Sequence, residues 1–570
     1  MPGFNISIGP LKFNTKKTNT PNIVYDDIIY EGINIQQFTL NRFLNDKCFV
    51  ETEDFIIVLE GVIYNKKEIL IDSLTWAESL INLYKIKGEH FFKTFRGSFS
   101  GVLIDKKNNK SYVFTDHLGT KNIYYYKDDE SFIVSSEIRD IYKTLKSNNI
   151  EYHLDENASQ MLLTYGYMLE DFTLCDKIKK VRPGTVLTYN QNSLIETLYY
   201  KLPLSTLEGS INESEVIDTL DAKFKLALSR QFDKDIEYNY KHFVGLSGGL
   251  DSRMTSWVAH QMGYENQLNF TFSQSNYLDE TIPKQIASDL KHEWIFKTLD
   301  NGLFLKDIEE VTKLSGGNVL YYGLAHSYSL LNNINFRGLG IVHTGQLGDI
   351  IISSYIKNLN PKSLESLGGN YSKISKKSPN KSFKSFQEKE LAMIYQRGLN
   401  GINNGLLSYQ AFTETASPFY DIDFFEYCLS IPIKSRMKHN LYFKWINNKY
   451  PDACEYIWES TKLKPGRNYM SITLKGRKIP LRKIPLKLLQ LIGIRKVGLS
   501  SSSHMNPLDY WYNTNSNLKK FQDEYFNNGI KNLKSESLIE QCTNRYAVGN
   551  AIEKNQILSL LAANNLFFSE

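Results

Sequence analysis

With 570 residues the chain exceeds the roughly 100 to 200 residues of one ordinary domain and has material for more than one large core. Its 67 Lys plus Arg against 62 Asp plus Glu leave a net charge of +5, with 23% charged and 42% hydrophobic residues. That length excludes a disulfide-stapled miniature, and the globular balance argues against a surface built throughout as an electrostatic trap, so no nucleic-acid partner is expected.

The amino-terminal stretch MPGFNISIGPLKFN lacks a basic region followed by an apolar core, so no secretory leader is expected. No apolar run approaches the roughly 20 residues that cross a bilayer. Cys48, Cys175, Cys428, Cys454 and Cys542 are scattered without a CxxC pair and read as reduced, mostly buried thiols of a cytoplasmic protein. FIIVLEGVIYN at 55–65, FSGVLIDKKNNKSYVFTDH at 99–117 and KNIYYYKDDESFIVSSE at 121–137 are apolar or aromatic runs parted by polar turns. They predict antiparallel strands, with hairpin connections at Asp105 to Lys110 and Lys127 to Glu130. Apolar positions recurring at three and four predict helices near 68–86 and 153–170.

The polar stretch KLPLSTLEGSINES marks a boundary, drawn between a domain at 1–205 and one at 206–570, ahead of a helical pattern in SEVIDTLDAKFKLALSR. Thereafter the rhythm changes to a short buried strand HFVGL at 242–246, the turn SGGLDS, a helix in RMTSWVAHQMG, a strand LNFTFSQ at 268–274 and a helix from Asp279 to Leu290. Such alternation predicts an α/β unit with a parallel sheet. GLGIVHTG at 338–345 is a third strand candidate, and 361–390, rich in Lys, Ser, Asn and Gly, is predicted as an exposed excursion. The basic and apolar segment 475–498, interrupted by Pro480 and Pro485, reads as a surface helix capping the core, or as a contact for an anionic membrane surface or a partner.

The sharpest signal is FVGLSGGLDSR at 243–253. A polyphosphate needs a concave set of backbone N–H donors, which Ser247, Gly248, Gly249 and Ser252 can supply at a strand-to-helix turn. Asp251 offers oxygen to Mg²⁺ bridging the phosphates of ATP. The order is neither that of the Walker loop nor that of the dinucleotide fingerprint.

This segment resembles the pyrophosphate loop of ATP pyrophosphatases, and the chain is similar over roughly 55–470 to glutamine-dependent asparagine synthetases and their relatives, the β-lactam synthetases and lasso-peptide cyclases. EGVIYNKKEIL at 60–70, FRGSFSGVLID at 95–105, TDHLGTKNIYYY at 115–126, VSSEIRDI at 134–141 and VRPGTVLTY at 181–189 resemble a class II glutamine amidotransferase domain. TGQLGD at 344–349 and SPFYDIDFFEYCLSIP at 417–432 resemble later landmarks of the synthetase domain. The resemblance implies an amino-terminal antiparallel β-sandwich flanked by helices and a carboxyl-terminal α/β domain with a parallel sheet. It implies Asp251 and Asp349 as Mg²⁺ ligands and places Leu246, Phe272, Thr344 and Gly345 around the adenosine; Leu246 and Phe272 also read as core.

The departures are as informative. The family's nucleophilic amino-terminal cysteine is replaced by Met1-Pro2-Gly3, and the Asn-Gly pair of its oxyanion hole reads Glu60-Gly61, where a carboxylate would repel the developing charge. A degenerate amidotransferase-like domain without glutaminase activity is expected. Ile350 stands where asparagine synthetases carry a second acid, and Gln346 where β-lactam synthetases carry a catalytic tyrosine. Lys462 or Lys464 matches the family's late catalytic lysine. Glu414 either orients or deprotonates an incoming amine or is a surface or salt-bridged residue. Arg253 either contacts a phosphate or substrate carboxylate or satisfies a buried acid. His242, His326 and His343 read as hydrogen-bonded or packing residues.

The expected activity is ATP- and Mg²⁺-dependent activation of a carboxylate as its acyl-adenylate, with attack by ammonia or a substrate amine and release of AMP and pyrophosphate. The substrate is a small metabolite, a peptide or an anionic sugar, and a homodimer is compatible with the reading. Intramolecular macrolactam or β-lactam closure, and an interaction module that binds ATP without catalysis, are the alternatives.

Overall fold

A period of two governs the amino-terminal part. In the strand Phe55–Ile63, Ile56 and Val58 face one core and Ile57, Leu59 and Ile63 another, and every residue is buried. In the computed structural model, which describes residues 2–13, 22–203, 212–367, 383–466, 471–474, 477–480 and 498–569, this strand belongs to one of two six-stranded antiparallel sheets. One sheet runs, in spatial order, Lys179–Lys180, Tyr124–Lys127, Phe132–Ser135, Gly3–Ile8, Ile33–Leu40 and Ile23–Tyr30. The other runs Ser193–Leu198, Thr185–Asn190, Lys110–Thr115, Gly97–Asp105, Phe55–Ile63 and Cys48–Glu51. Phe4, Ile6, Ile35, Ile56, Val58 and Val102 fill the sandwich between them. The outer face of the second sheet, with Ile57, Leu59, Leu103 and Phe114, joins a larger core that continues through Phe224 and Phe419 into the rest of the chain.

The hairpins fall where the polar turns predict them. Asp105 accepts the Asn108 N–H at 3.0 Å, and Asp128 accepts those of Glu130 and Ser131 at 2.9 and 2.7 Å. Such carboxylate-closed turns are what short polar residues favour. The helix expected over 68–86 divides into Lys66–Ile69 and Trp76–Lys87, because Thr75 and Glu78 form a capping box that starts the second piece afresh. The one expected over 153–170 shortens to Glu156–Tyr165, capped by Asp155 and stopped by Gly166 at φ 82°. The boundary drawn between 205 and 206 lies outside the described residues.

Beyond it, five parallel strands stand in the order Glu293–Thr298, Gln267–Ser273, Lys241–Gly245, Leu339–His343 and Thr415–Ala416. The chain adds strands to one side of Lys241–Gly245 and then, with Leu339–His343, to the other. That reversal opens a crevice at the carboxyl ends of the two central strands, the place where doubly wound sheets hold ligands. The helices Leu508–Thr514, Ser516–Gly529, Glu536–Val548 and Ala551–Phe567 build a further core against Ile308–Ser315 and Glu156–Tyr165.

One expectation is described only in part, and another changes. Of the excursion at 361–390, the described parts are a short 3₁₀ turn Pro361–Glu365 and the helix Phe386–Met393; residues 368–382 lie outside the described residues. In the basic segment, Arg477–Pro480 is a strand paired antiparallel with Ser471–Leu474, not the start of a helix. Ile472 stands opposite Ile479 in the register, and Pro480 falls at the strand's end. Residues 475–476 and 481–497 lie outside the described residues. Among the described residues no helix is long and apolar enough to cross a membrane.

Candidate active site

SGGLDS links the strand Lys241–Gly245 to the helix Leu250–Gln261. The Ser252 hydroxyl accepts the Ser247 N–H at 3.0 Å, and Ser247 Oγ accepts the Gly249 N–H at 3.2 Å, so the two serines close the turn. TGQLGD leaves the neighbouring strand Leu339–His343 and presses against it. A Cβ on Gly345 would lie 2.3 Å from the Ser252 nitrogen, and one on Gly348 2.6 Å from the Asp251 carboxyl carbon. The two segments approach only because both positions lack a side chain. Leu347, buried and at φ 66°, holds a backbone conformation costly for a leucine and starts the short helix Gly348–Ser353 that presents Asp349.

Ser247, Gly249, Asp251, Ser252, Gly345 and Asp349 line one cavity of about 420 Å³. The helix amino terminus adds its positive end, so donors and dipole suit a polyphosphate. Within the cavity Asp349 N–H donates to Asp251 Oδ2 at 2.9 Å and Tyr442 O–H to Asp251 Oδ1 at 2.7 Å. Burial, with the neighbouring Asp349 carboxylate, holds the Asp251 carboxyl well above the usual range. Burial raises Asp349 too, against the opposing charges of His439, Arg397 and Lys357. Two acids drawn together in this way form an all-oxygen donor set that fits a hard divalent cation such as Mg²⁺, which would relieve their repulsion.

Not every residue singled out from the sequence faces this space. Gly248 turns its N–H to Asp279 at 2.8 Å. Leu246 is buried with its N–H on the Phe270 carbonyl at 3.0 Å, Phe272 packs 4.7 Å from the His326 ring, and Thr344 N–H bonds the Ala416 carbonyl at 2.8 Å. Lys462 is exposed, two residues beyond the cavity-lining Ser460, in a turn closed by its N–H on the Trp458 carbonyl at 2.7 Å. Lys464 is engaged with Glu455 at 2.5 Å.

Arg253 requires a correction on both readings. It is fully buried beneath the loop and meets neither phosphate space nor an acid: its guanidinium donates to the carbonyls of Ala453, Tyr456 and Ile457 at 3.1, 3.1 and 2.7 Å, and to Gly248 at 3.4 Å. A helix turns about 100° per residue, so the position after the loop serine points inward. Arg253 therefore ties the loop to 453–457.

Glu414 takes the salt-bridged role and not that of a base. It is 2% exposed, and its carboxylate lies 2.6 Å from Lys121 Nζ and 3.2 Å from Lys47 Nζ, both in the amino-terminal part. Burial would raise its pKa, but Lys121 and Lys47 hold it down to about 2. Lys47 also meets Glu60 at 3.0 Å, and Thr39 Oγ1 donates to Glu60 at 2.9 Å. Lys121 lies over Gly61, where a Cβ would come 2.9 Å from its Cε. The Glu60-Gly61 position is thus covered by a buried network of two acids and two lysines. His242 and His343 bond the same Asp235 oxygen at 2.9 and 2.7 Å in the interior, apart from the cavity, and His326 stands elsewhere on Phe272.

His439, Tyr442 and Trp458 also line the cavity and carry no recognisable motif. The left-handed backbone at Lys438 and His439, φ 59° and 62°, turns the chain so that the helix Asn440–Lys449 brings Tyr442 to Asp251. His439 Nδ1 lies 2.9 Å from Ser353 Oγ, at the end of the helix that carries Asp349.

Comparison with known proteins finds likenesses in both parts of the family expectation. A family described as glutamine amidotransferase domain matches residues 46–200. A putative glutamine-hydrolysing asparagine synthetase 2 of Methanocaldococcus jannaschii is 23% identical over 323 residues, 55% of this chain and 61% of the relative. Asparagine synthetases 1 and 2 of Bacillus subtilis are 25% and 24% identical over 46% and 55% of this chain and over 42% and 44% of their own lengths. The chain spans about half the length of the curated relatives it matches. The chain is thus similar to glutamine-hydrolysing asparagine synthetases, and its residues 46–200 are similar to a glutamine amidotransferase domain.

Proposed function

We propose that the protein is an ATP- and Mg²⁺-dependent ligase that activates a substrate carboxylate and joins it to ammonia or a substrate amine, with an amino-terminal domain at 1–205 that serves the synthetase domain at 206–570 as scaffold and hydrolyses no glutamine. The observation that carries this reading is the meeting of SGGLDS and TGQLGD around a cavity lined by both Asp251 and Asp349, where the Asp349 N–H reaches Asp251 Oδ2 at 2.9 Å.

A substrate carboxylate oxygen bonds to the α-phosphorus of ATP, the bond from that phosphorus to the bridging oxygen breaks, and pyrophosphate leaves. The amine nitrogen then bonds to the acyl carbon, the acyl–oxygen bond to AMP breaks, and the amine proton passes to water. Backbone N–H groups and the helix amino terminus stabilise the phosphate charge, and Asp251 and Asp349 would hold Mg²⁺, which would supply Lewis-acid neutralisation. Lys462, exposed beside the cavity rim and without an ion-pair partner among the described residues, is the lysine placed to follow the departing pyrophosphate.

Two observations support the absence of glutamine hydrolysis. An oxyanion hole needs donors facing an open pocket, and at Glu60-Gly61 that place holds a carboxylate and the Lys47 and Lys121 ammonium groups. All five cysteines are buried, and burial pushes the Cys48 thiol up to about 12, far from the thiolate a nucleophile requires.

The test is ATP-dependent pyrophosphate release by the full chain with Mg²⁺, screened against carboxylic acids with ammonia, with glutamine and with neither. Release that depends on an acid, is lost in Asp251→Ala and yields amide with ammonia but not with glutamine is the expected result. Nucleotide binding without release across the acids would overturn the ligase reading, and glutamate formed from glutamine would overturn the scaffold reading.

A further inference from the structure

Beside the phosphate cavity lies a second one, of about 200 Å³, to which the activation step assigns nothing. Its walls are aromatic and aliphatic: Tyr165 and Tyr167 from the amino-terminal part, Leu320, Tyr322 and Leu324 at the start of the helix Tyr322–Leu331, and Ile402. Tyr165 is 1% exposed and Leu324 1%, so the lining is packed from behind and holds its shape. An apolar cavity of about 150 Å³ takes up benzene. This one has space for a single ring and a short tether, and tyrosine walls favour a ring through edge and offset contacts.

The mouth differs from the walls. Arg397 lines it half-buried, its guanidinium carbon 5.4 Å from the centre of the Tyr355 ring. Among the described residues this guanidinium has no hydrogen bond or ion pair. The chain's fully buried arginines are otherwise engaged, Arg253 with carbonyls and Arg436 with both oxygens of Glu390. Arg397 also sits in a π-helical turn, Ile394–Leu399, a rare geometry concentrated at functional sites.

The two cavities adjoin. Arg397 lies within electrostatic reach of Asp349. Gly405, on the rim of the second cavity, is so near Gln346, on the rim of the first, that a Cβ there would come 2.8 Å from its Nε2. A planar fork with free donors at the junction of an apolar pocket and a phosphate pocket is a receptor for a carboxylate.

We propose that the acid this protein activates is an aryl-substituted carboxylic acid, its ring seated among Tyr165, Tyr167, Tyr322 and Leu324 and its carboxylate delivered by Arg397 to the phosphate cavity. The assignment rests on the ligase reading above. A dicarboxylate such as aspartate would bury a second charge against tyrosine and leucine, with Arg397, the one cation among the described lining residues, already engaged by the first.

Pyrophosphate release and calorimetric binding, the latter with a non-hydrolysable ATP analogue present, are measured for phenylacetate, 3-phenylpropionate and aspartate on the full chain. The ring acids are expected to exceed aspartate in kcat/KM by about tenfold or more. Arg397→Gln is expected to raise KM for ring acids roughly 10- to 100-fold with little change in kcat. Gly323 lines the cavity and nothing lies within 4 Å of where a Cβ there would stand, so Gly323→Leu meets no clash and is expected to weaken ring-acid binding while nucleotide binding persists. Asp251-dependent release with aspartate in preference to ring acids would overturn this assignment and leave the ligase reading intact. Ring acids that bind through Arg397 without release would do the reverse. Failure of every ring acid to bind, or binding indifferent to both variants, would overturn the assignment outright.

Discussion

Two regions of the molecule hold buried acids and treat them in opposite ways. Around the phosphate loop, Asp251 and Asp349 face a cavity of about 420 Å³ with each other as near neighbours, and burial pushes both toward protonation. At Glu60-Gly61 the acids Glu60 and Glu414 are matched by Lys47 and Lys121, and the void at the domain junction nearby, lined by Tyr64, Asp116, His117 and Ser417, measures about 20 Å³, room for a water. Acids neutralised from within the chain join the sandwich to the parallel-sheet part; acids that repel each other beside open space suit a cationic ligand. The same residue type thus marks a structural joint in one place and a candidate site in the other.

The joint breaks first if its cation is removed. Lys47→Met leaves Glu60 buried without an ammonium and Glu414 with Lys121 alone, which should cost about 3 to 5 kcal/mol in denaturant unfolding. Lys47→Met combined with Glu60→Leu should recover most of that loss, since an apolar pair carries no unpaired charge. A single variant as stable as the parent would mean that the network contributes no cohesion.

At the open site the expected effect is kinetic. Asp251→Ala should slow pyrophosphate release roughly 10²- to 10³-fold while changing the unfolding midpoint little, because the substitution also removes a repulsion. A stability loss equal to that of Lys47→Met, with release intact, would erase the distinction between the two regions.

Arg253 lies between these extremes, beneath the site yet bonded like a joint. Arg253→Met frees the carbonyls of Ala453, Tyr456, Ile457 and Gly248 and should cost about 1 to 3 kcal/mol, with a raised KM for ATP as the loop loses its tie to 453–457. A variant that loses kcat alone would mean that the guanidinium acts on the reacting atoms.

These roles differ in how far the sequence discloses them. SGGLDS and TGQLGD are legible because the chemistry demands them locally: Gly345 and Gly348 must lack side chains for the loops to touch, and the flanking strands are short apolar runs. The sandwich is legible from its period of two and its carboxylate-closed turns. Glu414 is not, since its partners Lys47 and Lys121 come from another domain and its orientation depends on packing between the two. Arg253 misleads because adjacency to a loop in sequence says nothing of the inward rotation of the next helical residue. His439 and Tyr442 reach the cavity through a left-handed turn at 438–439, which no spacing announces, and Trp458 comes from a separate bridge to Leu463. Arg397 is unmarked in sequence for the same reason: a π-turn, not a motif, sets its direction.

The smallest effect concerns acid, and it separates the joint from the site by pH. His117 lies at the domain junction with Nε2 3.0 Å from the Lys93 carbonyl, and burial, with the Arg96 charge, lowers its pKa from 6.5 to about 4. A group neutral in the folded state and charged in the unfolded one stabilises the fold fully above pH 6.5, and that contribution is lost as pH falls from 6.5 toward 4. Glu414, held down to about 2, behaves as a depressed carboxylate: its contribution is complete above about 4.5 and is lost only below that. Between pH 7 and pH 5 the joint should therefore weaken through His117 and not through Glu414. Urea unfolding at the two pH values should show the parent losing about 2 kcal/mol more than His117→Gln, which keeps a donor toward the Lys93 carbonyl without a titrating ring. Equal losses would place the acid sensitivity elsewhere, and the junction would then hold at pH 5 on its lysine and glutamate pairs alone.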